Sequence, residues 1–252
     1  MDEKMNRDEA KSEIEQVREY TFRPLTEAIV VGIAFFLAIF VTTFFIYHHA
    51  LEAQKGEIRE GLVRTGEVLA NFIDADQHNS FRSPDQKTSA AYLKAVEPLR
   101  KTVEADDTIP FAYTTILKDG KVYFVLDPVP ADSPDAVGIM EEYADASPEL
   151  KEALKEGKVT TSQEPYTDEW GSFVSGHIPL FDSAGEAVGV LSIDIDATAY
   201  FERLAPIKRA TIRAMVTAFF ISYLIAALVW FMRNFSAVIN KKRIRLVRNL
   251  KG

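Results

Sequence analysis

Hydrophobic and polar positions divide the chain into three stretches. Residues 28–46 and 214–232 are two runs of 19 residues without Asp, Glu, Lys or Arg, and the sequence between them is patterned like an ordinary globular domain. As a helix at about 1.5 Å per residue, each run spans roughly 29 Å, close to the hydrocarbon thickness of a bilayer. Both read as transmembrane helices, over 25–47 and 209–232. A cleaved signal peptide has a short basic start and a shorter apolar core. Here the leader 1–24 carries seven acids against five bases, which suits a retained cytoplasmic segment.

The pattern between the runs predicts helices first and strands afterwards. Residues 48–77 lack proline and keep Leu51, Ile58, Leu62, Val63, Val68, Leu69, Phe72 and Ile73 at helical spacing, so the first membrane helix is expected to continue outward. Residues 79–85 break it, and a second helix is expected from Ser89 or Ala90 to Ala105, with Pro98 inside. After Pro110 the period changes to two. Strands are expected over 111–117 and 121–127, joined by Asp119-Gly120, the dipeptide that type I′ turns favour. A helix near 148–154 is capped by Ser147 and halted by Gly157. A short strand over 159–162 and two long ones over 171–181 and 187–196 complete an antiparallel sheet of about five strands. The expected fold is therefore α+β over 48–208, flanked by the two membrane helices, with a basic helix over 233–252.

Charge fixes the expected orientation. The net charge of −8 conceals a polarised chain: residues 28–212 hold 29 acids against 16 bases, whereas residues 213–252 hold eight bases and no acid. Positive flanks stay in the cytoplasm, and an even number of spans puts both termini there, leaving the acidic middle outside the inner membrane. That acidic exterior argues against nucleic acid, and the basic tail suits anionic lipid headgroups. With no cysteine, disulfides, thiolate metal sites and cysteine chemistry are excluded. There is no G-x-S-x-G, P-loop or dinucleotide fingerprint, so no enzyme is expected and no cofactor is implied.

Candidate chemistry lies in the strands, where alternate side chains share a face. Alternation sets Ser192, Asp194 and Asp196 opposite Leu191, Ile193 and Ile195, and pairs Tyr113 with Thr115, Tyr123 with Asp127, and Ser175 with His177. Converging hydroxyls, a histidine and carboxylates would suit a small ligand bearing an amine, such as an amino acid. The same residues would equally suit a solvated sheet face. Trp170, with Tyr166 in the preceding loop, reads either as a lid over such a pocket or as a structural plug. Asp168 and Glu169 are expected in solvent. Asp127, Asp132, Asp135, Glu141, Glu142 and Asp145 lack EF-hand spacing and read as a solvated acidic loop, not as a metal site. In the second run, Ala210, Ala214, Ala218, Ser222 and Ala226 form a small-residue stripe, a surface on which a homodimer could pack its spans.

The phrases Phe111-Ala112-Tyr113-Thr114, Val122-Tyr123-Phe124-Val125-Leu126-Asp127, Glu164-Pro165-Tyr166-Thr167-Asp168-Glu169-Trp170-Gly171 and Gly189-Val190-Leu191-Ser192-Ile193-Asp194-Ile195-Asp196 carry a resemblance. Over roughly 92–200 the chain resembles the Cache (PAS-like) extracytoplasmic sensor domains of bacterial histidine kinases, diguanylate cyclases and chemoreceptors. The resemblance implies a PAS-like sheet holding a small ligand on one face, with an output domain beyond the second span. The expected function is a dimeric two-span sensor relaying ligand binding to a cytoplasmic output that this sequence does not contain. The alternative is an output-free, membrane-anchored extracytoplasmic interaction subunit of a larger assembly.

Overall fold

The computed structural model describes residues 24–250. The acidic leader over 1–23 lies outside them, as do residues 251–252 and the side chains of Lys241, Arg243, Arg245 and Arg248 in the basic tail. The chain divides into two compact units, one of residues up to His48 together with those from Arg209 onward, the other His49–Lys208.

The first unit is built from the opening half of helix α1 (Pro24–Ala70) and the closing part of helix α5 (Ala197–Leu250). Both are long and apolar enough to cross a membrane by length and composition. Their large apolar side chains, among them Val30, Phe45, Phe219 and Leu224, point outward. The small-residue stripe is used inside the chain. Ala218 and Ser222 are buried, and a methyl group on Gly32 of α1 would lie 2.9 Å from Ala226 Cβ. At Ser222 and Ala226 the stripe thus faces Gly32 of the chain's own first span. Phe36 meets Phe219 edge to face, and Glu27 pairs with Arg233 at 2.6 Å.

The second unit is an α+β domain. Its antiparallel sheet runs in the order β2 (Lys121–Phe124), β1 (Phe111–Lys118), β6 (Ala187–Asp196), β5 (Ser172–Phe181), β3 (Thr160–Thr161), and the two-residue β4 (Tyr166–Thr167) adds to β5. The β1–β2 turn places Asp119 and Gly120 at φ 50° and 78°, the doubly positive geometry of type I′. The outward part of α1 lays Ile58, Leu62 and Leu69, joined by Ile73 just past its end, against Ile178, Ile193 and Ile195 on one sheet face. Helix α3 (Ala90–Ala105), started by Ser89 and running through Pro98, adds Tyr92, Val96 and Leu99 to that core.

Helix α1 ends earlier than the periodicity predicts. The carboxylate of Asp74 accepts from the Gln77 amide at 2.9 Å and so starts a separate short helix, α2 (Ala75–His78). The opposite sheet face carries a smaller core: Tyr113, Phe124 and Val190 from the strands, Tyr143 from the segment before α4 (Pro148–Glu156), and Leu150 and Ala153 from that helix. Ser147 caps α4 by accepting from the Leu150 amide at 3.1 Å, and Gly157 ends it at φ 62°. Ser147→Ala is expected to destabilise the unit by about 1 kcal/mol, measured as a lowered melting temperature.

Candidate functional site

Strand register decides which side chains can meet. Phe111, Tyr113 and Thr115 of β1 lie opposite Asp194, Ser192 and Val190 of β6, while Ser175 and His177 of β5 lie opposite Asp194 and Ser192. All therefore belong to the face covered by α4. On that face a partly open cavity of about 30 Å³ lies between the sheet and the loop after β2. Tyr113, Asp127, Trp170 and Asp194, four of the ten residues singled out from the sequence, line it.

Two more reach the cavity through hydrogen bonds. Ser175 Oγ donates to Asp194 Oδ1 at 2.5 Å, and Tyr166 Oη lies 3.0 Å from Ser175 Oγ. Because the serine proton is committed to Asp194, the tyrosine is the donor in the second bond. Asp194 is only 2% exposed, and no cation pairs with it among the described residues. Burial pushes its pKa up to about 7; the Ser175 bond opposes the rise and the charge of Asp168 adds to it. The Tyr113 hydroxyl is buried beside Asp194, whose pKa it helps to hold down, and burial, then the Asp194 charge, drives the tyrosine's own pKa well above the usual phenol range.

The remaining four lie elsewhere. Tyr123 sits opposite Ile116, on the face that packs against α1 and α3. Alternation fails to pair it with Asp127 because Thr114 bonds to two residues of the partner chain segment: its amide donates to Leu126 O, and its carbonyl accepts from Val125 N, both at 2.9 Å. Two residues opposite one is a bulge; Val125 and Leu126 both enter the α1-side core, and Asp127 returns to the cavity side. Asp196 is a helix cap, its Oδ1 accepting from the Thr198 amide at 2.7 Å and the Ala199 amide at 3.4 Å. His177 is buried, with Nδ1 2.9 Å from Ser192 Oγ and Nε2 3.5 Å from Ser147 Oγ, and desolvation lowers its pKa to about 3. Thr115 is also buried, and neither it nor His177 lines the cavity.

The loop after β2 lines one side of the cavity and is tied at its neck. Asp127 Oδ1 accepts from Val129 N and Oδ2 from Val137 N, both at 3.1 Å, with Lys87 Nζ at 3.5 Å from Oδ2. Lys87 also donates to the Val137 carbonyl. Burial raises the Asp127 pKa against those bonds. Glu141 accepts from the Gly138 amide at 2.6 Å, and Glu142 pairs with Lys121 at 2.7 Å, so the acidic segment is partly employed in holding its own backbone. Among the described residues no three His, Cys, Asp or Glu side chains are grouped to hold a metal ion.

Asp168 departs from the sequence reading. It is half-buried, lines the cavity, accepts from Tyr143 Oη at 2.5 Å, and takes the Trp170 and Gly171 amides on Oδ1 at 3.0 and 3.2 Å. Glu169 is exposed, as expected. The signal for Asp168 was its place ahead of Gly171, where an Asp side chain folds a turn onto its own backbone. Tyr143 had none: it reaches the site because its amide bonds to Val122 O at 2.8 Å, a one-residue return to the edge of β2. Trp170 stands at right angles to Phe124 and Tyr143, with ring centres 5.6 and 5.5 Å away.

No family model and no curated protein matches the chain. Among solved structures it is similar to the ligand-binding domain of the Campylobacter jejuni chemoreceptor Tlp3 in complex with L-valine, at 17% identity and a TM-score of 0.38, covering 68% of this chain and 66% of that one. It is similar to the E. coli DcuS sensor domain at 14% identity and a TM-score of 0.39, covering 58% and 97%. The periplasmic sensory domain of the C. jejuni chemoreceptor Tlp1 follows at 15% identity and 0.36, covering 64% and 59%. The chain thus spans just under two thirds of the Tlp3 domain.

Proposed function

We propose that the protein is a two-span sensor of the inner membrane: the unit His49–Lys208 binds a small amine-bearing ligand outside the cytoplasm, and helices α1 and α5 carry the change to a cytoplasmic output. One observation carries the reading. A cavity is lined by a buried carboxylate with no cationic partner among the described residues and by the buried hydroxyl of Tyr113 beside it, and the carboxylate stands on a strand that runs without a loop into the helix of the second apolar run. Asp194 is followed at once by Ile195 and the cap Asp196, and α5 begins at Ala197. A buried charge lacking a partner costs free energy that a structural role alone does not return, whereas a cationic ligand supplies the missing charge. The two-state coupling needs only a ligand that binds the two helix arrangements unequally.

The test uses the full chain in detergent. Against a panel of amino acids, amines, organic acids and divalent cations, a ligand at a hundred times its Kd is expected to raise the melting temperature by roughly 5–10 °C. The relay is read separately. Because the chain has no cysteine, Val30→Cys and Leu228→Cys give one clean pair of spin labels on the two exposed span surfaces. Bound ligand is expected to move their distance distribution by about 1–2 Å. A panel without any stabilising compound sinks the binding role, and a bound ligand that leaves the distances unchanged sinks the relay. A stoichiometric protein that co-purifies from membranes, with no ligand found, would instead favour the interaction-subunit reading.

A further inference from the structure

Between β3 and β4 the chain makes a detour over residues 162–165. Thr160 and Thr161 pair with His177 and Gly176 of β5, and Tyr166 and Thr167 pair with Phe173 and Ser172, so the residues between them leave the edge of β5 beside Ser175. Both ends of the detour are fastened to that serine. The Ser162 amide donates to the Ser175 carbonyl at 2.9 Å, the Ser175 amide donates to Ser162 Oγ at 3.1 Å, and Tyr166 Oη meets Ser175 Oγ at 3.0 Å. Ser175 in turn donates to Asp194. The middle of the detour is fastened to α1: Lys55 Nζ donates to Glu164 Oε1 at 2.6 Å, and Arg59 Nη2 to the Gln163 carbonyl at 3.4 Å.

The Lys55 side chain is shielded and that of Glu164 is 66% exposed. Such a pair adds little to folding stability, because water screens the exposed partner. What it fixes is position. Glu164 stands two residues before Tyr166, and α1 packs on the same stretch of β5, where a Cβ on Gly176 would lie 3.1 Å from Leu62 Cβ. Tyr200, buried in the first turn of α5, belongs to this junction: burial raises its pKa, the Lys55 charge opposes the rise and the Glu164 charge adds to it. Asp194 thus has a route to each long helix. One is its own strand, through Ile195 and Asp196 into α5. The other passes through Ser175, Tyr166 and Glu164 to Lys55 of α1. We infer that the Lys55–Glu164 ion pair couples the site to α1, so that a change at Asp194 acts on both membrane-directed helices and not on α5 alone. The inference rests on the relay proposed above and names its second arm. Loss of negative charge at Asp194 weakens the charge-assisted bond from Ser175, and the detour shifts with the serine that holds both its ends. Helix α1 is unbroken from Pro24 to Ala70, so a shift at Lys55 is carried into the first apolar run.

The test needs no ligand. The full chain in detergent carries nitroxides at Val30→Cys and Leu228→Cys and is held at pH 8, where Asp194 is ionised. Asp194→Asn is expected to move the distance distribution by about 1–2 Å. Glu164→Gln and Lys55→Met break the ion pair from either side. In each of those backgrounds Asp194→Asn should move the distribution by about half as much or less, whereas Lys55→Arg, which keeps the charge, should preserve the response. Melting curves check that every variant folds, and a purely structural pair would lower them without altering the response. A full response in both Glu164→Gln and Lys55→Met overturns the inference and leaves the relay to β6 and α5. No response to Asp194→Asn with the pair intact overturns the inference and the relay together.

Discussion

Asp194→Asn is expected to make the folded unit more stable at pH 8 and at the same time to remove most of its affinity for a cationic ligand. The carboxyl's pKa is pushed from 3.8 to about 7 on folding. Over that range the folded chain holds a proton that the unfolded chain has released, so stability falls as pH rises from about 4 to 7 and is level above. The full difference corresponds to an order of 4 kcal/mol. Asparagine keeps an acceptor for Ser175 and carries no charge, so the variant should match the wild type near pH 4 and melt higher at pH 8. The buried histidines act in the opposite sense. Desolvation holds His78 and His177 near a pKa of 3, so the stability tied to their neutral forms is lost as pH falls below 6.5. Comparing variant with wild type at each pH cancels that contribution. The groups around Asp194 do not imitate its titration: Tyr113, Tyr143 and Tyr166 are all raised from an already high phenol pKa, and Ser175 does not titrate. Asp168, the remaining charge facing it, stays in place in both proteins. Removing one member of a buried charge pair costs about 2 kcal/mol or more, so cation affinity should drop roughly thirtyfold. In the wild type that affinity should climb with pH through 7, as Asp194 ionises. A variant that melts like the wild type at pH 8, or binds a cation equally well, would remove Asp194 from the centre of the site.

Much of the frame was legible because local signals decide it. Ser147 and Gly157 bound α4, Asp119-Gly120 makes the hairpin, and strict alternation in β5 and β6 puts Ser175 and Asp194 on one face. What escaped depends on single irregularities. The bulge opposite Thr114 reverses the parity of β2, which sends Tyr123 to the α1 side while Asp127 stays with the cavity. Asp196 fits the alternation yet is diverted by the helix that follows it. Asp168 and Tyr143 enter through a turn and a one-residue bridge, and neither leaves a periodic trace. The small-residue stripe was visible, but composition does not say whose helix fills it; Gly32 of the same chain does so at Ala226. Periodicity thus locates faces, whereas turns, bulges and caps decide which side chains share them.

Gly189→Val is expected to be the most damaging single change in the sheet, at about 3 kcal/mol or more, read as a large fall in melting temperature. Gly189 lies on β6 opposite Leu180, with its missing side chain directed at the junction of β1 and α2. A Cβ there would come within 2.8 Å of the Thr115 carbonyl and 2.7 Å of His78 Cε1. The first obstacle is backbone and has no rotamer to yield. The second is a buried ring held by Thr114, whose Oγ1 lies 2.9 Å from His78 Nε2 and accepts from the Leu126 amide at 2.9 Å. Moving β1 to make room would therefore strain the Thr114 bulge that sets the parity of Asp127, and would displace Tyr113, the residue before Thr114 on the same strand. Gly189→Ala should show the milder form of the same fault: a folded protein with lower stability and weaker ligand binding, although Gly189 lies on the sheet face away from the cavity. Full stability in Gly189→Ala would mean that β1 shifts without cost, and unchanged binding in a destabilised Gly189→Ala would mean that the site does not depend on the placement of that strand.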